Sequence, residues 1–171
     1  MWEDEVNCPV CGSAEMVFPI GPKKSPILII GEAPGDDEIK AGKPFVGRTG
    51  TVLRTELGRL GIDLSAMRIT NMWMHPKTDN EKCFEHCFTK AIEEAQSRKA
   101  ILLIGAGTVK KFCGHGVEDY NGLLVKSRWL SAPYIMASVQ PTVVWNENGT
   151  LGEVRFVMKK FAELIEKEGL L

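Results

Sequence analysis

The hydrophobic pattern breaks most sharply at Ile27-Leu28-Ile29-Ile30, four consecutive apolar residues between a Pro-rich stretch ending at Pro26 and a glycine-rich turn opening at Gly31. A run this short and this continuously apolar predicts a strand covered on both faces, its carboxyl end feeding a loop where α/β proteins place ligands. The period then changes. From Thr51 to Leu60 the apolar positions Val52, Leu53, Leu57 and Leu60 recur at helical spacing, and Gly61 supplies the stop. A second strand is expected at about Met67 to Met72. Residues 81–98 return to the helical period, with Phe84, Phe88, Ala91, Ile92 and Ala95 on one side and charges on the other. Ala100 to Ile104 reads as a third buried strand, and Gly105-Ala106-Gly107 opens a short helix through Phe112. Leu123-Leu124-Val125 and Tyr134 to Val139 offer further strands. An amphipathic helix from about Glu153 to Lys167 ends the pattern, with Val154, Val157, Phe161, Leu164 and Ile165 on its apolar side. Strands alternating with helices predict an α/β fold, a parallel sheet covered on both faces.

Residues 1–26 follow neither period. They carry Cys8-Pro9-Val10-Cys11-Gly12, then Pro19, Gly21, Pro22 and Pro26, a composition suited to a clipped loop that needs an external tie. At 171 residues the chain is expected to form a single domain, residues 1–171, with 1–26 as an arm. A formal net charge of −1 excludes a strongly basic protein, so any hold on nucleic acid must come from a local positive cluster. No apolar run approaches the roughly 20 residues of a membrane helix, and Met1-Trp2-Glu3-Asp4-Glu5 is unlike a basic export signal. A cytoplasmic monomer with no membrane partner is expected. Five cysteines without an export signal point to metal ligation or burial, not to a disulfide framework.

Residues 31–50 read GEAPGDDEIKAGKPFVGRTG. This order resembles the first motif of the iron–sulfur (family 4) uracil-DNA glycosylases, close to G-E-x-P-G-x-x-E-D-x-x-G-x-P-F-V-G-x-A-G. Ile39 stands in place of the acidic residue and Thr49 in place of alanine. The resemblance implies a three-layer α/β/α sandwich with a central, mainly parallel four-stranded sheet. It also implies an enzyme that flips uracil out of single- or double-stranded DNA and hydrolyses its N-glycosidic bond. Chemistry on a flipped base needs an aromatic face, a hydrogen-bonding edge and close backbone approach. Phe45 is the stacking platform. Gly31, Ala33, Pro34 and Gly35 form the substrate-binding turn, and Glu32 is the carboxylate that orients a water and stabilises positive charge on the sugar. Outside this motif, Phe45 would read as ordinary core and Glu32 as a solvated acid.

Arg68-Ile69-Thr70-Asn71 resembles the family's second site segment, in which an asparagine reads the Watson–Crick edge of the base. An amide donates to O4 and accepts from N3 of uracil, a pattern that disfavours cytosine. The third segment departs from the family, which carries His-Pro-Ser where this chain has Gln140-Pro141-Thr142. Gln140 still donates through its amide to uracil O2 but cannot be cationic, and losing one donor to a developing anion costs about 10²–10³ in rate. The resemblance thus implies that catalysis rests on Glu32, Asn71 and Gln140, with activity expected to be reduced by the last. Val143, Val144 and Trp145 fall at the position of the family's duplex-wedging loop, the alternative being a surface turn with an incidental Trp. The alternatives are a DNA-binding relative of the same fold with weak or no excision, and a glycosylase for a different modified base.

Cys8-x2-Cys11 and Cys83-x3-Cys87, with Cys113 apart, match a four-cysteine set only in part. The resemblance implies a [4Fe–4S] cluster. His75 stands where the family's third ligand lies, and Cys83 and Cys87, one helical turn apart, are expected to complete the set with Cys8 and Cys11. Zinc is the alternative, since Cys-Pro-x-Cys-Gly is also a zinc knuckle. His86 and His115 read as surface residues. Lys23, Lys24, Lys43, Arg48 and Arg54 cluster around the first motif and are candidates to track phosphates.

Overall fold

The computed structural model describes residues 6–142 and 151–171. Four strands form one sheet in the order β2-β1-β3-β4, every neighbouring pair parallel. They are β1 (Ile27–Gly31), β2 (Arg68–Asn71), β3 (Ala100–Ile104) and β4 (Tyr134–Ser138). The apolar runs form strands because both faces are covered. Leu28, Ile30, Ile101, Leu103 and Ile135 pack with Phe88 and Ala91 of α3 (Glu81–Ala95) and Val109 and Phe112 of α4 (Ala106–Cys113). The alternate positions Ile27, Ile29, Leu102 and Ile104 pack with Leu53 and Leu57 of α2 (Arg48–Gly58) and Val157 and Phe161 of α5 (Leu151–Lys167). The result is the three-layer α/β/α sandwich expected.

Three details depart from the sequence expectation. A short helix, α1 (Asp36–Ala41), stands inside the first motif, where no helical period is visible over six residues. Leu123–Val125 forms no strand; it contributes only an isolated bridge from Leu124 to Met136 at a half-exposed edge. α3 ends at Ala95 rather than running to Arg98, because Gln96 is extended at ψ 137° and Ser97 then turns left-handed at φ 65°. That turn sends the Arg98 guanidinium back to donate to the carbonyls of Lys23 (2.8 Å) and Ser25 (2.5 Å).

The arm is held by more than cysteines. Val17 N–H donates to the Met74 carbonyl at 2.6 Å, and Ile20 pairs antiparallel with Ile69 along the outer edge of β2. The buried Arg68 donates to the Gly21 carbonyl and, with Arg98, grips Glu94. The chain crosses from β1 outward to β2 and back over to β3, so the connections leaving β1 and β3 diverge and open a crevice at the strands' carboxyl ends.

Candidate active site and metal centre

A cavity of about 860 Å³ fills that crevice, and Gly31, Glu32, Ala33, Pro34, Gly35, Phe45, Asn71 and Gln140 all line it. The eight residues assigned to catalysis and substrate binding from the sequence therefore meet in one place. Lys77, Thr49 and Arg48 line it too. Of the five cations grouped around the first motif only Arg48 does so. Lys23, Lys24 and Lys43 are exposed, and Arg54 is committed to the Phe45 carbonyl at 3.0 Å. Val143, Val144 and Trp145 lie outside the described residues.

Phe45 adopts φ 57°, a left-handed conformation unusual for a large side chain. Two contacts impose it: the Arg54 hydrogen bond, and the first turn of α2, where a Cβ on Gly50 would stand 1.5 Å from the Phe45 carbonyl oxygen. The turned backbone carries the ring over Gly31, where it packs into the core below and faces the cavity above. Asn71, at the carboxyl end of β2, is 3 % exposed, and its amide has no hydrogen-bond partner among the described residues. Its side chain lines the cavity, so the amide is available to a bound ligand.

Glu38, just inside α1, ties the motif together by accepting from Gly35 N–H (3.1 Å) and Gly47 N–H (2.8 Å). The Glu32 carboxylate lies against Gly107 in the first turn of α4, where a Cβ would approach it to 2.5 Å, and pairs with Lys77. Gln140 donates from Nε2 to Thr49 Oγ1 at 2.9 Å, with its Oε1 beside the open face of Gly105. Sequence reasoning missed Lys77, Glu38 and the two glycines after β3, whose roles depend on loops that meet only in the fold.

In the second cluster His75, and not Cys87, stands with the other three expected ligands. Cys8, Cys11, His75 and Cys83 bring their donor atoms within 4.8 Å of one another, and Cys87, buried one turn further along α3, is not among the four. Asn80 caps α3 by accepting from Cys83 N–H and so sets Cys83 at the helix start, facing the arm. His75 is fully buried, and its Nδ1 lies 2.7 Å from the Pro76 carbonyl. That bond places the proton on Nδ1 and leaves Nε2 as the ligand atom, 3.0 Å from Cys83 Sγ. Burial pushes the Cys83 thiol well above its ordinary value.

Can these residues hold the metal group the resemblance implies? The thiol pairs Cys8–Cys83 and Cys11–Cys83 are 3.4 and 3.3 Å apart, and Cys11 to His75 Nε2 is 3.8 Å. Thiolates around one tetrahedral ion with metal–sulfur bonds of about 2.3 Å sit about 3.8 Å apart. The present spacing fits a single ion. In a [4Fe–4S] cluster each ligand binds a different iron, so the four donors must spread over a larger tetrahedron than they occupy here.

The fold, the motif cavity and the asparagine at the end of β2 define a base-excision glycosylase architecture. Residues 18–160 match the family model described as "Uracil DNA glycosylase superfamily", and the chain belongs to that superfamily. Within it, similar curated proteins include type-4 uracil-DNA glycosylases. The one from Thermotoga maritima is 36 % identical over 159 residues, 84 % of this chain and 79 % of that protein. The one from Pyrobaculum aerophilum is 34 % identical over 93 residues, 52 % of this chain; the match spans only 47 % of that relative's length. The one from Archaeoglobus fulgidus is 42 % identical over 53 residues, 31 % of this chain and 27 % of that protein.

Proposed function

We propose that this chain is a DNA repair glycosylase that binds an extruded uracil in the crevice at the ends of β1 and β3 and hydrolyses its N-glycosidic bond. The observation that carries the reading is the Asn71 amide lining the cavity beside the Phe45 ring, with no hydrogen-bond partner among the described residues. An aromatic face next to an amide edge is the minimum that recognises one pyrimidine by stacking and by hydrogen bonds. Uracil offers O4 to the amide N–H and N3–H to its carbonyl, whereas cytosine inverts both groups. The Glu32 carboxylate, paired with Lys77 at the cavity wall, is suited to hold a water and to offset positive charge developing on the sugar. Gln140 donates toward the pyrimidine as negative charge develops there.

Excision of uracil from single- and double-stranded oligonucleotides tests this reading. Activity in the parent that falls at least a hundredfold in Asn71→Ala and Glu32→Gln supports it. A parent that binds the oligonucleotide but releases no base makes the chain a DNA-binding relative, and release of a different base from a panel of lesions redirects the substrate.

The same reading gives the Cys8–Cys11–His75–Cys83 group a structural metal that clamps the arm to β2 and α3. The donor spacing favours one tetrahedral ion, zinc, over the [4Fe–4S] cluster that the resemblance implies. Metal analysis and the visible spectrum separate them: zinc gives a colourless protein with one equivalent of metal, a cluster gives a brown one.

A further inference from the structure

Two positions depart from the family pattern where they face the cavity, Thr49 in the first motif and Gln140 in the third, and the fold brings them into contact across 91 residues of chain. Gln140 Nε2 donates to Thr49 Oγ1 at 2.9 Å. We propose that Thr49 is the positioning residue for Gln140, the pair acting as one unit that replaces the family histidine as donor to the base. The proposal rests on the glycosylase reading and goes beyond it.

The argument starts from side-chain freedom. A histidine has two rotatable bonds and a rigid ring, whereas a glutamine amide swings on three and must be fixed before it can act as a preorganised donor. An alanine at position 49 offers nothing to fix it. The threonine hydroxyl, on the first turn of α2, accepts one of the two Nε2 protons and leaves the second to donate. The other end of the amide is confined as well. Oε1 lies where a Cβ on Gly105 would approach to 2.9 Å, and Gly105, at φ 93°, holds a backbone conformation that suits glycine. Gln140 is thus clamped between the loop after β3 and the start of α2, both of which line or adjoin the cavity. Its amide does not titrate, so this wall presents the same donor at every pH.

A double-mutant cycle read by single-turnover excision of uracil tests the pair. Gln140→Ala is expected to slow the step by about 10²–10³, the usual worth of a donor to a developing anion, and Thr49→Val, which leaves the donor present but unfixed, by about tenfold or more. The double variant should be no slower than Gln140→Ala within about twofold, because both changes remove one donor. Thr49→Ser should stay within about threefold of the parent, and melting temperatures should not follow the rates. Gln140→His should gain more activity in a Thr49→Ala background than alone, and should introduce a pH dependence near the ordinary imidazole value that the parent lacks.

Multiplicative losses in the cycle, or a Thr49→Val variant as fast as the parent while Gln140→Ala is slow, overturn the proposal. If the parent excises nothing, the proposed function fails first. The same cycle run on affinity for an oligonucleotide carrying 2′-fluorinated deoxyuridine, which resists hydrolysis, still reads whether the two residues act together; additive losses there refute the unit.

Discussion

Gly31 has no side chain because Phe45 occupies the space: a Cβ there would stand 2.7 Å from the Phe45 ring. It would also come within 2.4 Å of Asn71 Oδ1, so one hydrogen atom separates the stacking face from the hydrogen-bonding edge. Gly31→Ala is expected to displace the ring or the amide. Overpacking of this kind costs about 1–3 kcal/mol, and uracil excision should fall at least tenfold. Rates measured beside thermal melts check this; an alanine variant with parental rate removes Phe45 and Asn71 from joint contact with the base.

The loop between β1 and α2 depends on Glu38 in the same way. Its two carboxylate oxygens accept from Gly35 N–H and Gly47 N–H at 3.1 and 2.8 Å, so one charge closes both ends of the motif. Glu38→Gln keeps the shape but turns one acceptor into a donor facing an N–H. The expected loss is about 1–3 kcal/mol, the cost of an unmet hydrogen bond. Denaturant midpoints measure it, and a Glu38→Gln variant as stable as the parent means the loop is held by something else.

How much of this was legible in the sequence follows from which contacts are local. Ile27–Gly31 and Ala100–Ile104 announce themselves because strands buried on both faces must be apolar throughout. Glu32 and Asn71 sit at strand ends, so ordering the strands was enough to bring them together. His75 against Cys87 was not decidable from spacing. Both lie close to Cys83 along the chain, and the choice is made by the rotation of α3 set by its Asn80 cap and by the turn that buries His75. Thr49 and Gln140 were visible as separate departures, and their contact exists only once α2 and the loop after β4 share the crevice.

Beneath the arm, Arg68 and Arg98 converge on Glu94, whose carboxylate takes contacts of 2.9, 2.8 and 3.2 Å and is 12 % exposed. Burial draws the Arg98 guanidinium below its ordinary value, partly offset by Glu94. Glu94→Ala leaves two nearly buried cations without their anion, a change expected to cost about 3–5 kcal/mol. Because Arg68 and Arg98 also hold the carbonyls of Gly21, Lys23 and Ser25, the arm should become protease-sensitive there. Limited proteolysis and chemical denaturation check both effects, and a loss under about 1 kcal/mol would show that water already screens the network.

Metal removal should divide the arm in two. Residues 8–13 owe their position to the Cys8–Cys11–His75–Cys83 group and to a local turn in which Gly12 N–H donates to the Cys8 carbonyl at 2.8 Å. Residues 17–20 are instead bonded to Met74 and Ile69 by backbone hydrogen bonds that need no metal. The four strands lie beyond either segment, and Cys8 is the one residue of 8–13 that packs into a core. Chelation is therefore expected to lower the melting temperature without unfolding the chain, and to speed amide exchange at residues 8–13 while Val17 and Ile20 stay protected. Cys8→Ser and His75→Ala should reproduce this with metal lost. Cys87→Ser and Cys113→Ser should keep full metal content, since neither thiol is among the four converging donors. If Cys87→Ser loses metal while His75→Ala retains it, the ligand set is the four-cysteine one read from the sequence. Wholesale unfolding on chelation would mean instead that the metal supports the sheet as well as the arm.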